Sequence, residues 1–307
     1  MVKFLPILFC FFLVSLTHAQ SDSIPKVLVL GVAQDGGFPH IGCERNCCNL
    51  ANQNDSVKRL VVSLALIDPI SKKWWMFEAT PDFVEQLQLF KELTKGAYPY
   101  LPEGIFLTHA HMGHYTGLME LGREALGAKN VKVHALPKMQ AFLSSNGPWS
   151  QLVELENIEL IPESFDSIRV LNERISVTSI QVPHRDEFSE TAGFKILTSG
   201  KNYLFVPDID KWTKWDLKLS EQINEVDHAF IDATFYSISE LPFRNIKTIP
   251  HPLVTETLLE LEPESAALKS KVVFIHFNHT NKIMWDPKIQ RVINTLGYNY
   301  AIQGSKY

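Results

Sequence analysis

Three histidines within six residues form a dense group of side chains that can do chemistry. His109, His111 and His114 lie in the stretch LTHAHMGHYTGL, and the preceding residues GIFLTH have the apolar pattern of a buried strand. In an extended chain, residues i and i+2 point to the same side, so His109 and His111 can converge on one ion. His114 begins the next segment and can point back toward the same place. Neutral imidazole is a favoured ligand of zinc and neighbouring metals, and the pattern therefore predicts a metal site.

Short strands, with helices between the later ones, must position these histidines. Apolar or alternating runs typical of strands recur along the chain, among them KVLVLGVA, VVSLALID, WWMFEA, NYLFVPD, HAFIDAT and KVVFIHF. Helical patterns occur in PDFVEQLQLFKELTK after the N-cap candidate Thr80, and in TGLMELGREALG, PLVTETLLELEPE and DPKIQRVINTLG. This order predicts an α/β fold in which mixed sheets are covered by helices, as a single domain over residues 20–307.

The N-terminus and the overall charge limit where the protein works and what it binds. The chain has 307 residues and a net charge of −5, which gives no basic field for nucleic acid or an anionic membrane surface. MVKFLPILFCFFLVSLTHAQ has one lysine, an apolar run and a small residue, Ala19, which predicts a cleaved signal peptide over residues 1–19. The run is too short for a membrane span. We expect a secreted or periplasmic protein.

The histidine motif resembles that of a known superfamily. THAHMGH is similar to the T-H-x-H-x-D-H signature of the metallo-β-lactamase fold, with Gly113 in place of the aspartate. The resemblance implies an αββα sandwich whose loops hold one or two metals, usually zinc and sometimes iron or manganese. In dinuclear members the missing carboxylate binds the second metal. The segments GVAQDGGFPHIGCERNCC, MFEATPDFVEQL, HPLVTETL and IHFNHTN resemble most the pyrroloquinoline quinone biosynthesis protein B branch.

The same resemblance implies the other metal ligands. SIQVPHRDEFSETAGFKI is similar to the segment with the third histidine of the first site, which assigns His184. NYLFVPDIDKW resembles the strand that ends in a metal-bridging aspartate, which assigns Asp208, with Asp210 as the alternative. VVFIHFNHTN resembles the last motif, where a histidine closes the second site; this assigns His276, with His279 as the alternative.

The implied ligands predict one tight catalytic zinc ion and a weaker second ion. A zinc ion held by three histidines lowers the pKa of bound water to about 7, and Asp208 would orient that water. His114 and His276 would complete the second site, or His114 would act as a catalytic proton donor. Because Gly113 supplies no carboxylate, we expect the second ion to bind loosely.

Three closely spaced cysteines predict either a disulfide or a second kind of metal site. Cys43, Cys47 and Cys48 lie in GCERNCC, and an oxidising compartment would favour a disulfide from Cys43 or free thiols. The resemblance instead implies a structural zinc site. Such a site needs four ligands, and His251 in IPHPLV is the candidate for the fourth.

Together these features predict an exported metal-dependent hydrolase that attacks an ester-like or phosphodiester bond of a small substrate. Tyr115, Asn278 and His279 adjoin the inferred ligands and are candidate substrate contacts. Glu78 and Asp232 are candidates to hold the histidines from behind. The alternatives are an iron-dependent oxidative enzyme like the quinone-biosynthesis branch, and a metal-binding protein without catalysis.

Overall fold

The computed structural model describes residues 23–242, 245 and 248–307, which form two stacked β-sheets. The predicted signal peptide, residues 1–19, lies outside the described residues. The first sheet has the order β1-β2-β3-β4-β5-β6. Its strands are β1 (Lys26–Gly31), β2 (Ser63–Asp68), β3 (Lys73–Phe77), β4 (Ile105–Phe106), β5 (Val131–Ala135) and β6 (Ile158–Pro162).

The second sheet has the order β13-β12-β11-β10-β9-β8-β7. Like the first, it contains both antiparallel and parallel strand pairs. Its strands are β7 (Ile168–Asn172), β8 (Ile175–Gln181), β9 (Ala192–Thr198), β10 (Tyr203–Val206), β11 (His228–Asp232), β12 (Val272–Ile275) and β13 (Asn299–Tyr300). In each sheet, antiparallel pairs lead into parallel strands: β3 to β6 in the first and β10 to β13 in the second.

Helices pack around the two sheets. They are α1 (Asn46–Gln53), α2 (Phe83–Leu93), α3 (Met112–Tyr115), α4 (Pro137–Ser145), α5 (Trp149–Glu154), α6 (Leu219–Asn224), α7 (Val254–Glu260), α8 (Ala266–Lys269) and α9 (Pro287–Thr295). Apolar residues of α2, α4 and α5 pack on the first sheet, and those of α6, α7 and α9 join the second. This αββα arrangement confirms the predicted fold class.

Side-chain alternation along the strands produces the two faces of each sheet. On β3, Trp75 and Phe77 face the second sheet, whereas Trp74 and Met76 face the helices. Phe77 meets Phe194 of the second sheet with ring centroids 5.3 Å apart, in an edge-to-face contact. The interior between the sheets therefore fixes how they stack, and with it how their loops meet.

Two helix predictions differ from the structure. The Thr80 hydroxyl oxygen accepts a hydrogen bond from the Asp82 amide, and helix α2 begins at Phe83, three residues after the predicted N-cap Thr80. TGLMELGREALG does not form a regular helix, since a 3₁₀ segment covers Thr116–Leu121 and turns follow. Glycines at 117 and 122 reduce the helical propensity of this stretch. His114 lies in the preceding short helix α3, directly before this stretch.

The strand directions bring distant loops to one edge of the sandwich. β1 and β3 both run antiparallel to β2, and β4 runs parallel to β3, so these three strands end on the same side. In the second sheet, β8, β10, β11 and β12 share one direction. In sheets of this kind, ligands bind outside the carboxyl ends of the strands.

Among residues 23–242, 245 and 248–307, no helix has the length and apolar character that crossing a membrane requires.

Candidate metal centre

Seven histidine and carboxylate residues lie at or just beyond the carboxyl ends of strands at this shared edge. The residues and the strands that they follow or end are Asp35 after β1, Glu78 after β3, His109 after β4, His184 after β8, Asp208 after β10, Asp232 at the end of β11 and His276 after β12. Most of these side chains are buried, including the imidazoles of His109 and His276 and the carboxylates of Glu78 and Asp232. The edge is therefore a buried cluster of imidazoles and carboxylates.

The structure brings His109, His111, His184 and Asp208 together around one point, as the sequence predicts. His109 Nε2 lies 2.8 Å from His111 Nδ1, which lies 3.3 Å from His184 Nε2. Asp208 Oδ2 lies 3.3 Å from His184 Nε2 and 3.5 Å from His109 Nε2. Ligand atoms at 2.0–2.2 Å from a tetrahedral ion are about 3.3–3.6 Å apart. These four side chains therefore fit a metal ion.

A second group shares Asp208 with the first. His114 Nε2 and His276 Nε2 lie 3.7 and 3.9 Å from Asp208 Oδ2. The same two nitrogens lie 3.2 and 3.7 Å from Asp35 Oδ1. Asp35 is a site residue that sequence reasoning missed, although it stands in a turn, AQDGG, directly after a predicted strand. The arrangement places Asp208 between two clusters of possible metal ligands.

His251 lies in this centre, and its predicted place beside the cysteines is wrong. His251 Nδ1 lies 3.0 Å from Asp232 Oδ2 and 3.1 Å from Asp208 Oδ1. The pairing of Phe235 with Leu253 closes the loop that carries His251 and sets it over the end of β11. Burial disfavours a charged imidazole, but Asp208 and Asp232 outweigh burial and raise the pKa of His251 to about 10.

Polar groups behind the ligands fix the orientation of the imidazole rings. Glu78 Oε1 lies 3.6 Å from His114 Nδ1, where the sequence predicts a supporting carboxylate. Two threonines that sequence reasoning missed do the same: Thr108 Oγ1 lies 2.8 Å from His109 Nδ1, and Thr234 Oγ1 lies 2.8 Å from His276 Nδ1. Contacts of this kind select the tautomer and hold the ring that binds a metal.

Supporting carboxylates also lie at the other side of the centre. Glu187 Oε2 lies 2.9 Å from His111 Nε2, so that ring presents Nδ1 to the cluster. Asp232, predicted as a supporting residue, contacts His251 and accepts a hydrogen bond from the Thr234 amide at 2.8 Å. A carboxylate thus holds each of these two imidazoles: Glu187 holds that of His111, and Asp232 holds that of His251.

The electrostatics of the centre keep Asp208 anionic and His109 neutral. Burial and the neighbouring His114 hold the pKa of His109 well below its usual range, which leaves a lone pair free to bind an ion. Burial alone would raise the pKa of Asp208, but His251, His184 and His276 hold it well below its usual value. Around the first site, the centre therefore combines a neutral nitrogen donor, His109, with an anionic oxygen donor, Asp208.

Several buried atoms of the centre have no hydrogen-bond partner among the described residues. They are Asp35 Oδ1, Glu78 Oε1, His114 Nδ1 and Nε2, His184 Nδ1, Asp208 Oδ1 and His276 Nε2. Buried polar atoms are normally satisfied, and an ion would account for Asp35 Oδ1, His114 Nε2 and His276 Nε2, which lie close to one another. The donor set fits one or two metal ions.

The cysteines form a separate cluster with His279. Cys48 Sγ and Cys47 Sγ lie 3.3 and 3.8 Å from His279 Nδ1, and the two sulfurs are 3.9 Å apart. Cys43 completes the group, and all three cysteines are free. In the structure none of the three forms a disulfide, and the fourth member of the cluster is His279 rather than the predicted His251. Three cysteines and one histidine are a common ligand set of structural zinc.

His279 is neutral and available as a ligand at physiological pH. Burial and the nearby His40 and Arg45 lower the pKa of His279 to about 4. The imidazole of His40 stacks on it with centroids 4.5 Å apart. His279 thus belongs to the cysteine cluster. The sequence predicts it as a substrate contact or as the alternative ligand of the second metal site.

A cavity of about 700 Å³ lies between the cysteine cluster and His251. Its walls include Gln34, Arg45, Arg185 and Glu240, and Asn278, a predicted substrate contact, also lines it. The volume is sufficient for a small molecule.

Two other predicted residues lie away from the cavity and the ligand clusters. Tyr115 is buried against Phe142 of α4 and Trp149 of α5, with ring centroids 5.5 and 4.9 Å away. It therefore packs against these two helices. Asp210, the alternative to Asp208, forms an ion pair with Lys214 at 2.6 Å. Asp208 is therefore the aspartate of the centre.

The comparisons with known proteins agree with this geometry. The model of the beta-lactamase superfamily domain matches residues 73–277. The chain is 25% identical to Coenzyme PQQ synthesis protein B of Methylorubrum extorquens (strain PA1), over 91% of this chain and 98% of that protein. It is 23% identical to the protein of the same name from Rhizobium meliloti (strain 1021), over 91% of this chain and 96% of that one.

Solved structures show the same fold. The structure of Zn(2+)-bound PqqB from Methylobacterium extorquens superposes with a TM-score of 0.74 at 21% identity, covering 92% of this chain and 99% of that one. A diphosphatase from the PhnP family gives a TM-score of 0.66 at 22% identity, covering 92% and 96%. The chain therefore belongs to the beta-lactamase superfamily, and along 91% of its length it is similar to Coenzyme PQQ synthesis protein B.

Proposed function

We propose that this protein is a PqqB-like metalloenzyme that oxidises a small molecule with iron and dioxygen. The observation that supports it is the convergence of His109, His111, His184 and Asp208 in a chain that is similar to PqqB proteins along 91% of its length. This choice replaces the hydrolase that the histidine motif alone favours. Hydrolysis is kept as the second candidate.

The donor set is compatible with iron as well as zinc. The four side chains supply three nitrogens and one oxygen, without sulfur, and such sets bind Fe, Zn and Mn. When bound, iron would supply activation of dioxygen, and zinc would supply a lowered pKa for a coordinated water molecule. The cysteine cluster, by contrast, has the soft ligands that suit structural zinc.

The chain's own residues contribute substrate binding and proton handling. The cavity beside His251 would hold the substrate, and its walls carry charges of both signs from Arg45, Arg185 and Glu240, which suits a polar molecule. His251, held by Asp232, carries a proton at neutral pH because of the two carboxylates around it. It is placed to give that proton to a substrate atom in the cavity.

Hydrolysis of a phosphoester or ester is the second candidate. The pairing of His251 with Asp208 and Asp232 favours it, since a protonated imidazole beside the metal ligands is suited to protonating a leaving group. The fold neighbour that is a diphosphatase supports the same class. The two candidates use the same residues and differ in the metal and the co-substrate.

Metal-specific reconstitution tests the proposal. Metal-free protein is loaded with Fe(II) without oxygen, or with Zn(II), and then assayed for substrate-dependent oxygen uptake on phenols and aromatic carboxylic acids. Parallel assays follow release of nitrophenol from phosphodiesters and esters. His184→Ala is the test variant, and His228→Gln, a histidine outside the centre, is the matched control.

We expect oxygen uptake by the iron-loaded protein, with a loss of at least about 100-fold in His184→Ala and none in the control. Zinc-dependent hydrolysis without oxygen uptake would support the second candidate instead. If neither reaction depends on a metal or on His184, the protein is a non-catalytic binder and the enzyme assignment is wrong.

The proposal includes export. The sequence of residues 1–19 is typical of a cleaved signal peptide. Sequencing the N-terminus of the protein recovered from cells that express the full chain should give Gln20 as the first residue. Recovery of the unprocessed chain from the cytosol would contradict export and leave the chemistry of the centre unaffected.

A further inference from the structure

We propose that Asp35 is a ligand of the second metal ion, in the role that an aspartate at position 113 has in the signature. The loop after β1 would thus supply the carboxylate that the histidine motif lacks. The inference rests on the proposed metal centre, but not on which reaction that centre performs.

The position of the Asp35 carboxylate supports this role. Its Oδ1 atom lies 3.2 Å from His114 Nε2 and 3.7 Å from His276 Nε2, and these three side chains form one potential ligand group. Oδ1 and both nitrogens are buried, and none has a hydrogen-bond partner among the described residues. The three atoms are close to one another without forming hydrogen bonds, which is the arrangement of ligands that face a common ion.

Gly113 makes room for this carboxylate. A Cβ atom at position 113 would lie 2.3 Å from Asp35 Oδ1 and 2.6 Å from Asp35 Cα. These distances are far below van der Waals contact, so no other side chain fits at 113 while Asp35 holds its place. An aspartate at 113 and the present Asp35 are therefore mutually exclusive sources of one carboxylate, which explains the glycine within an otherwise intact motif.

Backbone pairing fastens Asp35 beside His276. Ala33 forms a bridge with Phe277, the Gln34 amide donates to the Phe277 carbonyl at 2.8 Å, and the Phe277 amide donates to the Val32 carbonyl at 2.8 Å. Asn278 adds a side-chain hydrogen bond of 2.7 Å to Gln34. Because residues 32–34, directly before Asp35, are tied to residues 277–278, directly after His276, Asp35 is held beside His276 before any ion binds.

The added carboxylate changes the expected strength of the second site. The sequence motif alone predicts a loosely bound ion held by His114, His276 and the shared Asp208. Asp35, His114 and His276 form one group, and Asp208 Oδ2 lies 3.7 and 3.9 Å from the two imidazoles, so the second site would have two imidazoles and two carboxylates, as many protein donors as the first. We therefore expect two ions of similar affinity in this centre, in addition to one at the cysteine cluster.

Metal counting in variants of the intact protein tests the inference. Asp35→Asn keeps the shape of the side chain and removes its charge, and Asp55→Asn, an exposed aspartate paired with Lys58, is the matched control. Zinc content is measured after dialysis against buffered free zinc, and Co(II) titrations followed by visible absorption report each site. Circular dichroism checks that every variant is folded.

We expect three ions in the wild type and the control, and two in Asp35→Asn, with the affinity of the lost ion reduced by at least about 100-fold. Wild-type affinity for all three ions in folded Asp35→Asn would overturn the inference. His184→Ala separates this failure from failure of the whole centre, because it should lose an ion whether or not Asp35 is a ligand.

Exchanging the residues at positions 35 and 113 gives a second, independent test of the inference. Gly113→Asp alone should clash with Asp35 and lower metal content or stability, whereas Asp35→Gly combined with Gly113→Asp should recover the third ion. A folded double variant that still binds only two ions would contradict the exchange of roles between positions 35 and 113.

Discussion

Cys48 Sγ lies 3.3 Å from His279 Nδ1, although 231 positions separate the two residues. The contact joins the N-terminal cysteine segment to the loop after β12, close to His276. A metal ion at this cluster would link two loops that also line the cavity. The cluster is therefore a structural support for the region in which we place the substrate.

We predict that zinc protects the thiols of Cys43, Cys47 and Cys48. A thiol reagent should label none of the three rapidly in the native protein and all three after chelation, because metal binding removes the thiolates from reaction. His279→Ala should lose one zinc ion and lower the melting temperature, with Asp55→Asn, at an exposed aspartate, as the control. Thiols that stay unreactive in chelator and denaturant but respond to a reductant would indicate a disulfide instead.

Replacing His251 should remove a proton donor while leaving the metals in place. We predict that His251→Gln lowers kcat by about 100-fold or more, with unchanged metal content, because its imidazole carries the proton. Loss of an ion from this variant would show that His251 is a metal ligand.

Asp232→Asn tests the same pair through pH. Asp208 and Asp232 raise the pKa of His251 to about 10 against the effect of burial, and removing one of these anions must lower it. As the pH rises, activity that needs the protonated imidazole would then be lost at a lower pH in Asp232→Asn than in the wild type. If kcat declines at the same alkaline pH in Asp232→Asn and the wild type, His251 is not the proton donor.

His228 should make the folded protein sensitive to acid. Burial and the Lys201 ammonium, 3.0 Å from His228 Nε2, lower the pKa of this imidazole to about 4, below the value of about 6.5 for an unfolded chain. Between these two values the unfolded state binds more protons, so the stabilisation present above pH 6.5 is lost as the pH falls toward 4.

His228→Phe removes this titration and keeps ring contacts with Tyr203 and Tyr307. We predict that the free energy of unfolding falls less between pH 7 and pH 5 in the variant than in the wild type, as measured by urea titration. The metal sites titrate in both proteins and cancel in the difference. An equal decrease in both would rule out His228 as a source of acid sensitivity.

Phe194 joins the two sheets. Its ring contacts Phe77 and Phe106 of the first sheet, with centroids 5.3 and 5.6 Å apart. We predict that Phe194→Ala lowers the free energy of unfolding by about 3–5 kcal/mol because it leaves a cavity between the sheets. Phe188→Ala, at an exposed phenylalanine, should change it by less than about 1 kcal/mol. Chemical denaturation of both variants measures the difference.

The sequence by itself determined the local parts of this protein. The spacing of His109 and His111 places two imidazoles on one side of an extended chain, and the apolar runs before His109, Asp208 and His276 predict strands that end at those residues. The resemblance of the histidine motif to a known signature added the order of the later ligands. These features depend on neighbours in the chain or on motif order, and both can be inferred without a tertiary structure.

Only the tertiary structure decided which distant residues share a site. His251 and His279 are similar histidines in loops at the same edge, and the sequence paired the wrong one with the cysteines. Asp35 was missed because its role depends on the pairing of Ala33 with Phe277, which no local pattern encodes. Strand order and the path of each loop set which side chains meet, and those follow from the packing of the whole chain.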